Sequence, residues 1–302
     1  METKTWEILN GPFELSQNEL KAIKNNYVLV PTYTLQSLDL FGRDYEVRRR
    51  IKERWLKASE KNPKLKPGLK FRLTSEPEEI TSESLSREAE MYAEPEPILG
   101  LNLNLGITDY GVFVATNGAA KDDPGFAKYL IKQGKRFYND KFAYFASPLG
   151  NCAIVESLDN KVALIKRADN LYEYPGWYDT PGGHPEPTKH SFDGKSLFNA
   201  IKDETSEEVK IPKESIEESY LIGLSVNKEN FRKPDMLFYL RTGLHSNKMD
   251  PNHEVSRLER LSKDELFEHW KKRTYQIVPP SEALLFAYYS LQKGYDLSFL
   301  ER

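Results

Sequence analysis

The stretch Ser196-Leu197-Phe198-Asn199-Ala200-Ile201-Lys202-Asp203-Glu204-Thr205-Ser206-Glu207-Glu208-Val209 leaves this chain few ways to fold. Leu197, Ile201, Thr205 and Val209 recur every four residues, so a helix gathers them on one side. Glu204, Glu207 and Glu208 stand at i, i+3 and i+4, so the same helix gathers their carboxylates on the neighbouring side, with Asp203 beside them. Such a helix must bury one stripe while keeping an acidic group at its margin. Ser196 reads as its N-cap, with Asp193-Gly194 as the preceding turn. Strand patterns lie on both sides of it. Asn151 to Glu156 and Lys161 to Lys166 read as two strands joined by a turn at Asp159-Asn160. Two more strands follow around Tyr220 to Val226 and Met236 to Arg241. The order points to an α/β (α+β) class.

The remaining segments extend this plan. Ser262-Lys263-Asp264-Glu265 is a capping box that opens a helix to about Lys271. A last helix starts near Pro280-Ser281 and runs to about Gln292. Upstream, residues 50–61 read as a helix with Ile51, Trp55 and Ala58 on one face, ended by Asn62-Pro63. Residues 75–97 crowd glutamates into a poorly apolar stretch, an exposed loop or insertion. Leu99, Leu101, Leu103, Leu105 and Ile107 alternate with small or polar residues, a strand with one apolar face. Gly111-Val112-Phe113-Val114-Ala115-Thr116 reads as another strand or a buried turn. At 302 residues the chain fits one large domain or two, and a boundary near residue 140 is the best division: 1–140 an α+β unit, 141–302 the unit holding the acidic helix.

Composition excludes several classes. Charged residues make up 29% and apolar residues 39%, and the apolar runs are too short to span a bilayer. The expectation is no membrane association and no secretory leader. The single cysteine, Cys152, sits in the apolar run Asn151-Cys152-Ala153-Ile154-Val155 and reads as strand filler. It points to a reducing compartment, the cytoplasm, with the nucleus as alternative. A net charge of −3 offers no overall nucleic-acid-binding surface.

Carboxylates at i, i+3 and i+4 repel by only about 0.2–0.5 kcal/mol per pair, so a solvated acidic face is the ordinary reading of such a trio. The segment before it changes that reading. Pro181-Gly182-Gly183-His184-Pro185-Glu186-Pro187 carries adjacent glycines, where backbone approaches a ligand closely. A glycine loop and an E-x-x-E-E helix face build one oxygen-rich site suited to a hard cation such as Mg²⁺ or Mn²⁺.

Together these segments resemble a Nudix box, G-x5-E-x7-R-E-U-x-E-E-x-G-U, with U a bulky apolar residue. Gly183 takes the first glycine position and Asp203 to Ile211 the second half. Asp203 stands at the family's Arg, Thr205 at its first apolar position and Lys210 at its late Gly. The span from Gly183 to Ile211 is six residues longer than the pattern, and the first Glu position falls on Lys189 or Lys195. The glycine loop, Leu105-Gly106-Ile107-Thr108-Asp109-Tyr110, Ala115-Thr116-Asn117, Ser147-Pro148-Leu149-Gly150-Asn151 and Lys70-Phe71-Arg72-Leu73 after Asn62-Pro63 look like the UDP-glucose/UDP-galactose diphosphatase branch and its plant relatives.

The resemblance implies a C-terminal Nudix fold, a mixed sheet between helices, with a smaller α+β unit packed on it. It implies Mg²⁺-dependent hydrolysis of a UDP-sugar, a small-molecule nucleotide sugar, to UMP and sugar 1-phosphate, with no protein partner required. Two alternatives stay open: a Nudix hydrolase of another nucleoside diphosphate (ADP-ribose, an alarmone or an RNA cap), and a Nudix-fold binding protein without catalysis. Glu204, Glu207 and Glu208 are the expected metal ligands, with the Gly183 carbonyl. Glu207, Glu208 or Glu254 is the expected base. Arg167, Lys166 and Arg232 are candidate diphosphate partners, and Glu186 a group that orients Arg167 or Lys166 or reaches the metal through water. Trp177, with Tyr172, Tyr174 and Tyr178, offers a face to a uracil, core packing being the plainer use of such rings. Asp109, Tyr110, Thr116 and Asn117 are sugar or nucleoside contacts by resemblance alone. His184 and His253 read as structural or solvated.

Overall fold

The computed structural model describes residues 4–24, 34–39, 42–80 and 100–301. Its strands are β1 (Trp6–Asn10), β2 (Leu20–Lys24), β3 (Leu69–Leu73), β4 (Glu78–Ile80), β5 (Gly100–Asp109), β6 (Gly150–Glu156), β7 (Lys161–Arg167), β8 (Tyr178–Asp179), β9 (Gly182–Gly183), β10 (Ile216–Asn227), β11 (Lys233–Thr242) and β12 (Val255–Ser262).

The larger sheet runs β1-β10-β11-β6-β7-β12, with β8 added to β7 and β9 to β6. Its one parallel pairing along that path, β6 with β11, sets Gly150 opposite Asp235 and Asn151 opposite Met236. The expected mixed sheet between helices is therefore present. One face packs on the acidic helix Gly194–Val209 through Leu197, Phe198 and Ile201, with Ala153, Val155 and Phe238 beneath them. The other face packs on the helices Lys263–Lys271 and Pro279–Leu291, with Cys152, Ile154 and Leu237 beneath. Cys152 is 3% exposed, and burial pushes its thiol well above the usual range, as suits strand filler.

The smaller sheet, β2-β5-β3 with β4 on β5, holds the apolar face of β5: Leu101, Leu103 and Leu105 are buried and join the core beneath the acidic helix. Strand β1 pairs antiparallel with β10, so residues from the chain's beginning form the edge of the larger sheet. Trp6 is 4% exposed there; its ring lies 5.4 Å from that of Phe286 and its Nε1–H donates to Glu282.

Several elements differ from the sequence reading. The helix expected over 50–61 begins earlier, at Tyr45. The segment 110–122, expected in part as a strand or buried turn, is helical, with a π turn at Val114–Gly118. Asp109 accepts from the Gly111 N–H and starts it, and burial on every side overrides the β-branched residues' preference for strands. A further helix, Pro124–Tyr138, opens on the Asp123 cap with Pro at its first turn, a signal the sequence reading passed over. Within 75–97, Glu78–Ile80 pairs with β5; residues 81–99, including Leu99, lie outside the described residues.

Candidate active site

The glycine segment is a strand as well as a loop. Gly182 and Gly183 pair with Cys152 and Asn151, which presses their backbone against β6. The Gly183 N–H donates to Asn151 Oδ1 (2.8 Å) and the Gly182 N–H to Glu208 Oε2 (2.8 Å). A Cβ on Gly183 would stand 2.4 Å from the Glu204 carboxyl carbon, so only glycine leaves Glu204 its place. The two glycines are thus clasped between a sheet strand and the acidic helix. That helix begins about one turn earlier than expected: its N-cap is Asp193, whose Oδ1 accepts from the Ser196 N–H (2.7 Å), rather than Ser196 itself.

Beside the clasp lies a cavity of about 400 Å³. Carboxylates crowd its wall: Glu173, Asp179, Glu186, Glu204, Glu208, Asp235 and Glu254, against Lys66, Lys70, Arg167 and Lys233. Burial, then the charge of Glu207, pushes the Glu204 carboxyl up to about 7, although the His184 backbone N–H and Lys70 pull it down. Burial holds Glu208 well above the usual carboxylate range, against the Gly182 hydrogen bond. Two buried carboxylates in this state gain most from a cation placed between them. Among the described residues, no three His, Cys, Asp or Glu side chains already form a closed metal-binding group. The donors that fit a divalent ion are Glu204, Glu208 and the Gly183 carbonyl, with Glu207 exposed on the same helix side. All are oxygens, which suits a hard cation.

The cations on the wall are held by partners. Arg167 binds Asp179 (2.9 Å) and donates from Nε to the Glu173 carbonyl. Lys70 pairs with Glu186, whose carboxyl is also bound by Lys189; burial raises that carboxyl, but the two lysines win and hold it below its ordinary value. Tyr110, Tyr172 and Tyr174 supply the aromatic wall. Burial first pushes the Tyr172 hydroxyl up to about 12, so it stays a neutral donor. His184 is buried at the cavity and, through desolvation and then Lys233, is driven well below its ordinary range, so it is neutral there.

The structure brings Glu204, Glu208, Gly183, Arg167, Glu186, Tyr110 and Glu254 to one cavity, but leaves other expected contacts outside it. Lys166 points away from it, since successive strand residues face opposite sides and Arg167 takes the cavity side. Arg232 lines a separate hollow, near Glu7 and Glu76. Trp177 packs on Tyr174 (5.2 Å) and lines a hollow with Trp6 instead. Thr116 and Asn117 are fully buried, where they hold the chain rather than a ligand: Thr116 accepts from the Ala146 N–H, and Asn117 donates to the Asn230 carbonyl. Asp109 is spent on capping the helical segment. His253 is 88% exposed. At the positions that depart from the box, Lys189 pairs with Glu186, Lys195 is exposed, and Asp203 binds Lys213 and His190.

Lys233, Asp235 and Asp179 were not singled out from the sequence, and Lys70 and Asn151 only as parts of segments that carry the resemblance, with no site role. They reach the cavity from strands far apart in the chain. The one local sign is Lys233-Pro234-Asp235, two charges at the mouth of the apolar run Met236 to Leu240.

No family model matches the chain. Nudix hydrolase 9 of Arabidopsis thaliana is 33% identical over 189 residues, covering 54% of this chain and 58% of that protein. The uridine diphosphate glucose pyrophosphatase NUDT22 of Mus musculus is 31% identical over 167 residues, 51% of this chain and 52% of that protein. The Homo sapiens counterpart is 30% identical over 159 residues, 48% and 51%. The chain therefore spans about half the length of these curated relatives. Among solved structures, a MutT protein from Methanosarcina mazei aligns at TM-score 0.35 and 16% identity, over 48% of this chain and 95% of that one. The Nudix domain of Shewanella oneidensis NrtR, complexed with ADP ribose, aligns at 0.36 and 13%, over 47% and 86%. Such low scores add nothing to the sequence relatives. No helix among the described residues is long and apolar enough to cross a membrane. Over about half its length, the chain is similar in sequence to Nudix hydrolases, uridine diphosphate glucose pyrophosphatases among them.

Proposed function

We propose that this chain hydrolyses the diphosphate bond of a nucleoside diphosphate sugar, a UDP-sugar foremost, to a nucleoside monophosphate and a sugar 1-phosphate. The observation that carries the reading is the clasp: Gly182 bound to Glu208, and Gly183 fitted against Glu204, at the wall of an acid-rich cavity. A diphosphate anion entering such a cavity is repelled unless cations come with it. Glu204, Glu207, Glu208 and the Gly183 carbonyl are the residues that would hold Mg²⁺ or Mn²⁺. An ion held there would supply a water of lowered pKa and offset charge on the phosphates.

The chain's own groups do the rest. Arg167, fixed by Asp179 and the Glu173 carbonyl, presents its guanidinium to a phosphate oxygen as a rigid fork. Lys70, anchored by Glu186, adds a second positive charge beside Glu204. Glu254, half-exposed at the cavity rim, takes the proton from the attacking water. Tyr110, Tyr172 and Tyr174 give a base or sugar a wall of rings with neutral hydroxyls.

Product analysis on a nucleotide panel with Mg²⁺ tests this, using Glu208→Gln as the control that keeps shape and removes charge. The expected result is UMP from UDP-glucose or UDP-galactose, lost by orders of magnitude in the variant. Cleavage of ADP-ribose, an alarmone or a cap instead moves the substrate class. Binding without cleavage of any panel member overturns the enzymatic reading.

A further inference from the structure

The cavity has a second polar corner on the sheet face away from the acidic helix. Lys233 Nζ lies 2.8 Å from Asp235 Oδ1, and the two side chains are 6% and 4% exposed. The pair sits on backbone: Asp235 faces Gly150 across the parallel pairing, and a Cβ at Gly150 would stand 1.9 Å from Asp235 Oδ1 and 2.9 Å from Lys233 Nζ. Both residues line the cavity. Among the described residues Asp235 Oδ2 has no hydrogen-bond partner.

These facts are hard to reconcile with a structural role alone. A buried ion pair adds little net stability over apolar side chains of the same size. An acceptor left unmet in the interior costs free energy outright. A pair that is buried, seated on a glycine and still holding an unmet acceptor at a cavity wall is arranged for something that enters the cavity.

We propose that Lys233 and Asp235 form the subsite that selects the ligand. Asp235 Oδ2 accepts a hydrogen bond from a ligand N–H or O–H. Lys233 Nζ, one of whose donors reaches Asp235, donates to a ligand oxygen beside it. The matching chemistry is a donor beside an acceptor oxygen. A uracil imide edge has it, and so does the vicinal diol of a hexose. In a UDP-sugar these sit at opposite ends of the diphosphate, so the subsite takes one end and leaves the other to the tyrosine wall. The inference rests on the proposed diphosphate chemistry for which ligand enters, and on none of its catalytic steps.

The test is calorimetric titration with UMP and, separately, glucose 1-phosphate, both with Mg²⁺; neither has a diphosphate bond to cleave. Lys233→Met combined with Asp235→Leu removes both charges at once, so neither is stranded. Asp235→Asn keeps size and shape and is read if the double variant does not fold. The expected result is a variant with the wild-type melting temperature or higher that binds one of the two halves at least tenfold more weakly and the other unchanged. The half affected tells base from sugar. Unchanged affinity for both halves, parallel loss of both, or no binding of either half by the wild type overturns the proposal. Absence of UDP-glucose hydrolysis with these affinities intact overturns the enzymatic reading and leaves the subsite standing.

Discussion

Gly182 and Gly183 are neighbours with different jobs. A Cβ on Gly182 would meet backbone, 2.2 Å from the Asn151 carbonyl oxygen and 2.8 Å from Cys152 Cα. The atoms nearest a Cβ on Gly183 would be those of the Glu204 carboxylate, the end of a flexible side chain. Gly182→Ala must therefore push β9 off β6, and thermal denaturation should show a clear loss of stability. Gly183→Ala should melt near the wild type yet lose about a hundredfold in activity, because displacing one reacting group by an ångström costs about that much. If the two variants melt alike, the division of labour is wrong. The glycines and the glutamates were legible in the sequence because both signals are local: adjacent glycines in one loop and i, i+3, i+4 spacing in one helix. Lys233 and Asp235 were not, because burial and a shared cavity come from strand pairing, and no spacing in the chain announces that Asp235 will face Gly150.

At the scale of elements, short-range chemistry read well and all-round burial read poorly. The capping box at Ser262 forms as its letters suggest: the Glu265 N–H donates to Ser262 Oγ (3.2 Å) and the Ser262 N–H to Glu265 Oε2 (2.7 Å). The acidic helix lies where its apolar stripe put it, but its first turn belongs to Asp193, which also accepts from Ser196 Oγ (3.0 Å). Asp193→Ala should cost about 1 kcal/mol, as lost N-caps do, and lower the melting temperature by roughly 2 °C. Ser196→Ala keeps the backbone N–H that Asp193 binds and should cost less; the reverse order would restore Ser196 as the cap. The segment 110–118 misled because its apolar residues have no polar side to set a period. Nothing in such a run separates a strand from a buried helix; the Asp109 cap was the only available sign.

At the scale of the molecule, the beginning of the chain completes the sheet that carries the site. Trp6 docks β1 on the helix Pro279–Leu291, and Pro280 at that helix's start lines the cavity. Trp6→Ala should cost about 3–5 kcal/mol, the range for truncating a buried aromatic, measured by denaturant unfolding; a loss under about 1 kcal/mol would make β1 a loose edge. No periodicity in residues 6–10 foretold that pairing, since a strand's partner is a property of the assembled sheet. The acidic cavity follows from that assembly too: the acidic helix, β3, β7, β11 and the loop before β8 each bring charges that are unremarkable alone. Under the proposed function these charges would hold divalent metal over a diphosphate. The most direct measurement is the rate of UMP release from UDP-glucose by the wild-type protein in Mg²⁺ and again after chelation. Steady release with Mg²⁺ that falls by orders of magnitude in chelator and returns when Mg²⁺ is restored is the expected result; no release with Mg²⁺, or release that chelation leaves unchanged, would contradict the proposed function.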